Sequence, residues 1–138
     1  MIATRGLTHV ALEVRDPDRS LRFYRDVLGV VEVYRSEGFV QAQTPGSWDV
    51  LVFTAGLEGR ADSGGVGHFG FRLVDAADID DAVHAVEAAG GTILRRGEFG
   101  PGEPYVFFED PDRYEVEIWY EPPTTADPPT LAPGGGRE

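Results

Sequence analysis

Two histidines and a group of acidic side chains stand where strands of this chain would bring them together. His9 and His68 each open a stretch in which apolar residues alternate, which is typical of half-buried strands. Every second residue of a strand faces the same side, so both imidazoles are predicted to lie opposite the apolar positions. Glu115, Glu117 and Glu121 share one face of the last predicted strand. Imidazoles and carboxylates bind divalent transition metals, so the pattern predicts a metal site, although solvated or structural side chains are the alternative.

Both histidines occupy the same position of an internal repeat. Residues 8–14 resemble residues 67–73, and residues 44–53 align with residues 110–119, with Pro45 on Pro111. Each unit reads as strand, helix, strand, strand, strand, which predicts an α+β fold. The helices are predicted at 17–28 and 77–89 from their apolar stripes. The later strands are predicted at 30–35, 38–43, 48–54, 91–96, 104–109 and 114–120. His84 lies off the apolar stripe of the second helix and is assigned to the surface.

Composition excludes several kinds of chemistry. The 138 residues include no Cys and no Lys, so disulfides, thiolate sites and Schiff-base catalysis are ruled out. The formal charge of −12 argues against nucleic-acid binding. No apolar run is long enough for a membrane span and no signal peptide is recognisable, so a cytoplasmic protein is expected. The folded domain is predicted at 1–121, with modules at about 4–55 and 66–121, followed by a disordered Pro- and Gly-rich tail at 122–138.

Four motifs resemble those of the vicinal-oxygen-chelate superfamily, which includes glyoxalase I, bleomycin-resistance proteins and extradiol dioxygenases. They are Leu7–Val14, Asp16–Gly29 (DPDRSLRFYRDVLG), Gly67–Phe71 and the stretch from Asp110 to Glu117. The resemblance implies two βαβββ modules that form a cupped mixed sheet with helices on its outer face. It also implies a metal in the cup, and His9, His68 and Glu117 match the family's ligands residue for residue.

The repeat also predicts the number of ligands. Family members with four protein ligands take one from the last strand of module one, and alignment on Pro45 and Pro111 puts Leu51 there. Leucine binds no metal, and Asp49 would need a slip of the alignment. Three ligands are therefore expected, two histidines and one glutamate, which suits Fe(II) or Mn(II), with Zn(II) or Ni(II) as further possibilities.

Strand parity predicts the lining of the cup around the metal ligands. The expected residues are Phe39, Gln41, Leu51, Phe53, Arg72, Tyr105, Phe107 and Trp119. Tyr105 is a candidate for proton transfer and Arg72 for clamping a substrate anion, with ordinary packing or a salt bridge as the alternative for each. Phe107 stands where the resemblance implies a Tyr in extradiol dioxygenases, and the expected acid–base His is missing, which argues against ring cleavage.

Two functions remain open on the sequence. The first is a divalent-metal-dependent enzyme of the glyoxalase/dioxygenase group that chelates vicinal oxygens of a small aromatic substrate. The alternative is an antibiotic- or metabolite-sequestering protein without turnover. The resemblance implies a homodimer, with the modules paired either within or between chains.

Overall fold

The computed structural model describes residues 7–56 and 68–129, together with Met1, Ala3 and Val66. The predicted start of module one at residue 4, the repeat's Gly67 and the end of the predicted tail (130–138) lie outside the described residues. In chain order the elements are β1 (Val10–Val14), α1 (Pro17–Leu28), β2 (Val31–Ser36), β3 (Phe39–Gln43), β4 (Leu51–Ala55), β5 (Phe69–Arg72), a 3-10 turn (Ala76–Asp78), α2 (Ile79–Ala88), β6 (Thr92–Glu98), β7 (Pro104–Glu109) and β8 (Glu115–Trp119).

The strands form two four-stranded mixed sheets with the same topology. The strand order is β1-β4-β3-β2 in one sheet and β5-β8-β7-β6 in the other. In each, the first strand runs parallel to the last, and the other neighbours are antiparallel. A register shift interrupts the pairing of β2 with β3 between Glu32 and Tyr34, and of β6 with β7 between Ile93 and Arg95. The predicted duplication and the α+β class are confirmed, down to a shared bulge.

Helix α1 begins and ends where its sequence signals predict. The side chain of Asp16 accepts hydrogen bonds from the backbone N–H groups of Asp18 and Arg19, and Pro17 occupies the first turn. Gly29 closes the helix in the left-handed conformation, at φ 72°. The second helix is shorter at both ends than predicted. A 3-10 turn replaces its first residues, and Ala89 is the C-cap instead of the last helical residue.

One hydrophobic core joins the two modules. Tyr24 of α1 stacks on Phe53 of its own module, with ring centroids 5.3 Å apart, and also meets Phe71 of β5 at 6.4 Å. Phe23 reaches Phe108 of β7 at 6.1 Å. The helix therefore packs against strands of both modules, and the side chains that the strands turn toward it form a continuous buried cluster.

The Asp-Pro-Asp turn after β7 anchors module two to α1. Asp112 is buried and accepts a hydrogen bond from the guanidinium of Arg19 at 2.8 Å and from the backbone N–H of Arg15 at 3.1 Å. Arg113 follows in the left-handed conformation at φ 68°, which side chains other than Gly rarely adopt. The turn is thus a packed structural element.

Two residues of the segment after β8 contact the body of the protein. Within the predicted tail, Pro122 and Asp127 contact Arg72 of β5. Among the described residues, no helix has the length and apolar character that a membrane crossing requires.

Candidate metal centre

His68 and Glu117 form the centre of the site. His68 directly precedes β5, and Glu117 lies on β8, the strand that pairs with β5 in parallel. His68 Nε2 lies 3.6 Å from Glu117 Oε1. One cation with bonds of about 2.1 Å to each donor spans such a separation, so the pair fits two ligands of a divalent metal.

Gly70 leaves room for the glutamate. It pairs with Glu117 across the two strands, and a Cβ added to Gly70 would lie 3.1 Å from the Glu117 carbonyl oxygen and 3.3 Å from its Cβ. The added atom would also stand 3.5 Å from Oε1. A side chain at this position would therefore require Glu117 to shift by a few tenths of an ångström.

The carboxylate of Glu117 is poised for a cationic partner. Its side chain is only 12% exposed, and this burial raises the pKa of Glu117, while the neighbouring imidazole of His68 acts in the opposite direction. A carboxylate that has lost water on one side gains from a nearby positive charge, because Coulomb energies are larger away from solvent. The electrostatics of the pair agree with a metal ligand.

Phe107 and Arg95 form the wall beside the histidine. The ring of Phe107 meets His68 edge to face, with centroids 5.0 Å apart. The guanidinium carbon of Arg95 lies 4.0 Å from the centroid of Phe107, and its Nη2 donates to Glu115 at 2.8 Å. Phe107 thus limits the freedom of the imidazole, and the cation stacked on its ring completes the wall.

A second group of aromatic rings continues this face. Phe99 stacks on Tyr105 with centroids 4.0 Å apart and meets Trp119 edge to face at 5.1 Å. A Cβ added to Gly97 of the neighbouring strand β6 would stand 3.0 Å from the Tyr105 hydroxyl. The hydroxyl therefore lies over β6, the strand furthest from β5, and the structure does not bring it to the His68–Glu117 pair.

Arg72 lies on the opposite side of the site, where ion pairs hold it. Its guanidinium donates to Glu121 at 2.8 Å and to Asp127 at 3.1 Å. A cavity of about 420 Å³ extends from Arg72 to His68 and Glu117. The cavity is lined by His68, Phe69, Gly70, Phe71, Arg72, Glu117, Trp119 and Glu121.

His9 stands apart from the pair within one chain. It precedes β1, and its Nδ1 is hydrogen-bonded to the hydroxyl of Thr8, which leaves Nε2 for another partner. It lines a different cavity, of about 380 Å³, which also reaches β5 at Phe69–Arg72. In the part of the chain that the structure describes, no three His, Cys, Asp or Glu side chains lie close enough to share one metal ion.

The faces of strands β3 and β4 bear on the predicted lining of the cup. Phe39 and Gln41 are half-buried on the face of β3 opposite the core residues Val40 and Ala42. Phe53, however, is fully buried against Tyr24 on the helix side of the sheet, so its predicted place in the cup is wrong. Leu51 belongs to the same core, but it also lines the cavity that contains His9.

The residue equivalent to Glu117 is therefore Val52. Strand pairing places Glu117 beside Gly70 and Val52 beside Ala11, and Gly70 and Ala11 each lie two positions after the repeated histidine. The turn of module one is one residue longer than the alignment on the two prolines allows, so the predicted equivalence with Leu51 is off by one. Valine, like leucine, has no atom that binds a metal. The prediction that β4 supplies no metal ligand is therefore unchanged.

Three residues of the site lacked a clear signal in the sequence. Arg95 belongs to a strand in which nearly all side chains are exposed, and a bulge beside it breaks the alternation. Phe99 follows that strand, and Glu121 follows β8. The alternation of side chains along the strand predicts Glu121 on the same face as Glu117. No feature of the sequence predicts the ion pair between Glu121 and Arg72.

A sequence model of the Glyoxalase/Bleomycin resistance protein/Dioxygenase superfamily matches residues 6–118. A lactoylglutathione lyase of Haemophilus influenzae is 31% identical over 127 residues, which cover 81% of this chain and 90% of that protein. A probable chloroplastic lactoylglutathione lyase of Arabidopsis thaliana is 31% identical over 87% of this chain, and the match spans 37% of that longer protein. A manganese-dependent 2,3-dihydroxybiphenyl 1,2-dioxygenase of Geobacillus genomosp. 3 is 26% identical over 82% of this chain and 36% of its own length.

Solved structures share the fold. A domain named for the same superfamily from Frankia sp. EAN1pec superposes with a TM-score of 0.67 at 28% identity, covering 85% of this chain and 98% of that one. A fosfomycin resistance protein of Mesorhizobium loti reaches a TM-score of 0.70 at 22% identity, covering 87% and 95%. With its duplicated βαβββ modules and a family match over most of its length, the chain belongs to the Glyoxalase/Bleomycin resistance protein/Dioxygenase superfamily.

Proposed function

We propose that the protein is a divalent-metal-dependent enzyme of the glyoxalase/dioxygenase group that binds vicinal oxygens of a small aromatic substrate. The observation that carries the proposal is the His68–Glu117 pair, 3.6 Å apart beside a cavity with aromatic walls. Manganese dependence in the name of the dioxygenase relative supports a metal at this place. The cavity combines aromatic residues with charged groups, and small-molecule sites use both, apolar walls for contact and polar groups for orientation.

His9 is the proposed third ligand, supplied by a second copy of the chain. Within one chain it faces another cavity, while the strand faces that a partner would cover remain open: Ala11 and Glu13 of β1, and Gly70 and Arg72 of β5, are exposed. In the proposed homodimer, His9 of each copy completes the His68–Glu117 pair of its partner. Two equivalent sites then follow from the two-fold symmetry.

Fe(II) or Mn(II) is the proposed metal, since two neutral imidazoles and one carboxylate leave the ion a positive charge and open positions for substrate. Zn(II) and Ni(II) are further candidates, since imidazole and carboxylate ligands bind them as well. Val52 offers no fourth ligand, which separates this chain from family members that take one from module one. A bound metal would act as a Lewis acid toward two adjacent substrate oxygens.

The chain's own side chains position the substrate. His68 and Glu117 hold the metal, and the rings of Phe107 and Trp119 exclude water from one side of the cavity. Arg72 is the proposed contact for negative charge on the substrate. Tyr105 stays a proposal for proton transfer only through an intervening water, because its hydroxyl lies over β6. Phe39 and Gln41 are proposed to line the side that module one contributes.

Calorimetric titration of metal-free protein with Mn(II) tests the proposal. His9→Ala, His68→Ala and Glu117→Gln are each expected to remove binding, whereas His84→Ala, on an exposed position of α2, is the matched control. Mixing the His9→Ala and His68→Ala proteins after joint unfolding and refolding tests the pairing. Each heterodimer then carries one intact site, and random pairing makes about half of the dimers mixed. About half a strong Mn(II) site per dimer is therefore expected if the ligands come from two chains, and none if they come from one.

A sequestering protein without turnover is the second candidate. It is favoured by the half-exposed ring of Phe99 and its stack on Tyr105, which lie beyond the metal pair and suit an aromatic ligand. Retained binding of an aromatic ligand by the metal-free His68→Ala protein would support this function over the enzyme. A cytoplasmic location stays a prediction from the sequence.

A further inference from the structure

Arg72 is one of the residues that line both of the cavities described above. It lines the cavity of about 380 Å³ with His9 and the cavity of about 420 Å³ with His68 and Glu117. Its side chain is 43% exposed, and it pairs across the strands with Trp119, whose ring lines the second cavity. The guanidinium of Arg72 thus lies beside Trp119 and next to the cavity that contains His68 and Glu117.

The segment after β8 covers this cation. We name residues 122–129 the strap. Asp127 Oδ1 accepts from Arg72 Nη1 at 3.1 Å, and the carbonyl of Pro122 accepts from Nη2 at 3.4 Å. Glu121, which directly precedes the strap, accepts from the same Nη2 at 2.8 Å. The strap therefore supplies one of the two carboxylates on this guanidinium.

A turn inside the strap holds Asp127 in its acceptor position. The backbone N–H and the hydroxyl of Thr124 donate to the two carboxylate oxygens of Asp127, each at 3.0 Å. Hydrogen bonds from the backbone and side chain of Thr124 lower the pKa of Asp127, so the group stays ionised at neutral pH. Residues 124–126 themselves are exposed, and nothing described buries the turn.

We propose that Asp127 occupies, in the unliganded chain, the position at which Arg72 binds the carboxylate of an aromatic substrate. The strap is then an internal competitor that the substrate displaces. This inference rests on the proposed function, because it places the negative group of the substrate at Arg72 while its vicinal oxygens face His68 and Glu117.

Geometry and energetics support an exchange at this position. Guanidinium offers five N–H donors in a planar fork that matches a carboxylate, so an incoming carboxylate can replace Asp127 without moving Arg72. Partly exposed ion pairs contribute little free energy, so the strap can be displaced at modest cost. Trp119, beside Arg72, gives the ring of an aromatic carboxylate a surface on which to pack.

Benzoate is the probe, with benzyl alcohol as its neutral counterpart, titrated calorimetrically at low ionic strength into the full-length protein with and without Mn(II). Asp127→Asn is expected to tighten benzoate binding about three- to tenfold, because one competing charge is gone. Thr124→Val, which loosens the turn, is expected to shift binding in the same direction. Arg72→Gln is expected to remove benzoate binding in both backgrounds. Asp26→Asn, an exposed carboxylate on α1, is the matched control for net charge.

The inference would be overturned by unchanged benzoate affinity in the Asp127→Asn protein, by an equal gain in the Asp26→Asn protein, or by the same gain when Arg72 is Gln. An equal gain for benzyl alcohol would also overturn it, since the neutral probe cannot compete with a carboxylate. The Mn(II) titration of the His68 and Glu117 variants is a separate readout. It can fail while the benzoate result holds, so loss of the proposed function and loss of the strap inference are distinguishable.

Discussion

The hydroxyl of Tyr24 donates a 2.7 Å hydrogen bond to Oδ2 of Asp110, and this bond joins α1 of module one to the turn after β7 of module two. Both side chains are buried. The other oxygen of Asp110 accepts from the backbone N–H groups of Asp112 and Tyr114. One carboxyl group thus shapes the turn and connects it to the helix that fills the shared core.

Tyr24→Phe is expected to destabilise the protein by about 1 to 3 kcal/mol, because a buried acceptor of Asp110 loses its partner while the ring packing on Phe53 is kept. Urea unfolding at pH 7 measures the change. Tyr34→Phe, on an exposed ring of β2, is the control and is expected to change stability by less than about 0.5 kcal/mol. Equal effects of the two substitutions would contradict a connecting role for Tyr24.

Asp110 predicts a pH dependence of stability. Burial raises the pKa of this carboxyl to about 6, above the value of about 3.9 expected in the unfolded chain. The folded state therefore binds more protons between these two values, so the contribution of Asp110 is fully present below about pH 4 and is lost as the pH rises through about 6.

Urea unfolding across this range checks the prediction by comparison with Asp110→Asn, which does not titrate. The difference in unfolding free energy between the two proteins is expected to change by roughly 2 to 3 kcal/mol from pH 4 to pH 7. Tyr24, Asp112 and Tyr114 face the same carboxyl, but they are present in both proteins and cancel in the difference. A difference that does not vary with pH would contradict the raised pKa.

Arg113→Gly is expected to stabilise the protein by about 1 kcal/mol, because the residue adopts φ 68°, which costs an L side chain energy that Gly does not pay. The side chain is exposed, so little packing is lost. Arg22→Gly, on an exposed position inside α1, is the matched control and is expected to destabilise by about 1 kcal/mol through helix propensity. Thermal unfolding distinguishes the two signs, and destabilisation by Arg113→Gly would contradict the strain.

The sequence predicts the elements of this fold better than the faces of its strands. Local signals define α1, since Asp16, Pro17 and Gly29 act within a few residues of the helix ends. The face of β4 depends on the length of the preceding turn, where one extra residue turns Phe53 and Leu51 to the core and Val52 to the other side. A slip of one residue exchanges all side chains between the two faces, so a single insertion is enough to mislead an alignment.

The candidate site shows the same limit at the level of assembly. His68 and Glu117 were predicted from parity and resemblance, and they lie together because β5 and β8 are neighbours in one sheet. His9 occupies the equivalent position of the other module, but one chain does not place it beside them. Contacts between whole surfaces decide how the modules pair. The residue pattern of a single strand does not record these contacts, so it does not predict the pairing.

Gly70→Ala tests the space that the metal centre requires. The new Cβ would stand 3.1 Å from the backbone oxygen of Glu117 and 3.3 Å from its Cβ, so β8 must give by a few tenths of an ångström at the residue that carries the carboxylate. Mn(II) affinity is expected to fall about tenfold, because a shifted carboxylate binds the metal less tightly. The stability of the sheet is expected to change less. The equivalent position of module one is Ala11, which pairs with Val52, so Ala11→Gly is the matched control and should leave Mn(II) affinity unchanged. Calorimetric titration measures both proteins, and a Gly70→Ala protein that binds Mn(II) as tightly as the parent would contradict the requirement for a glycine beside Glu117.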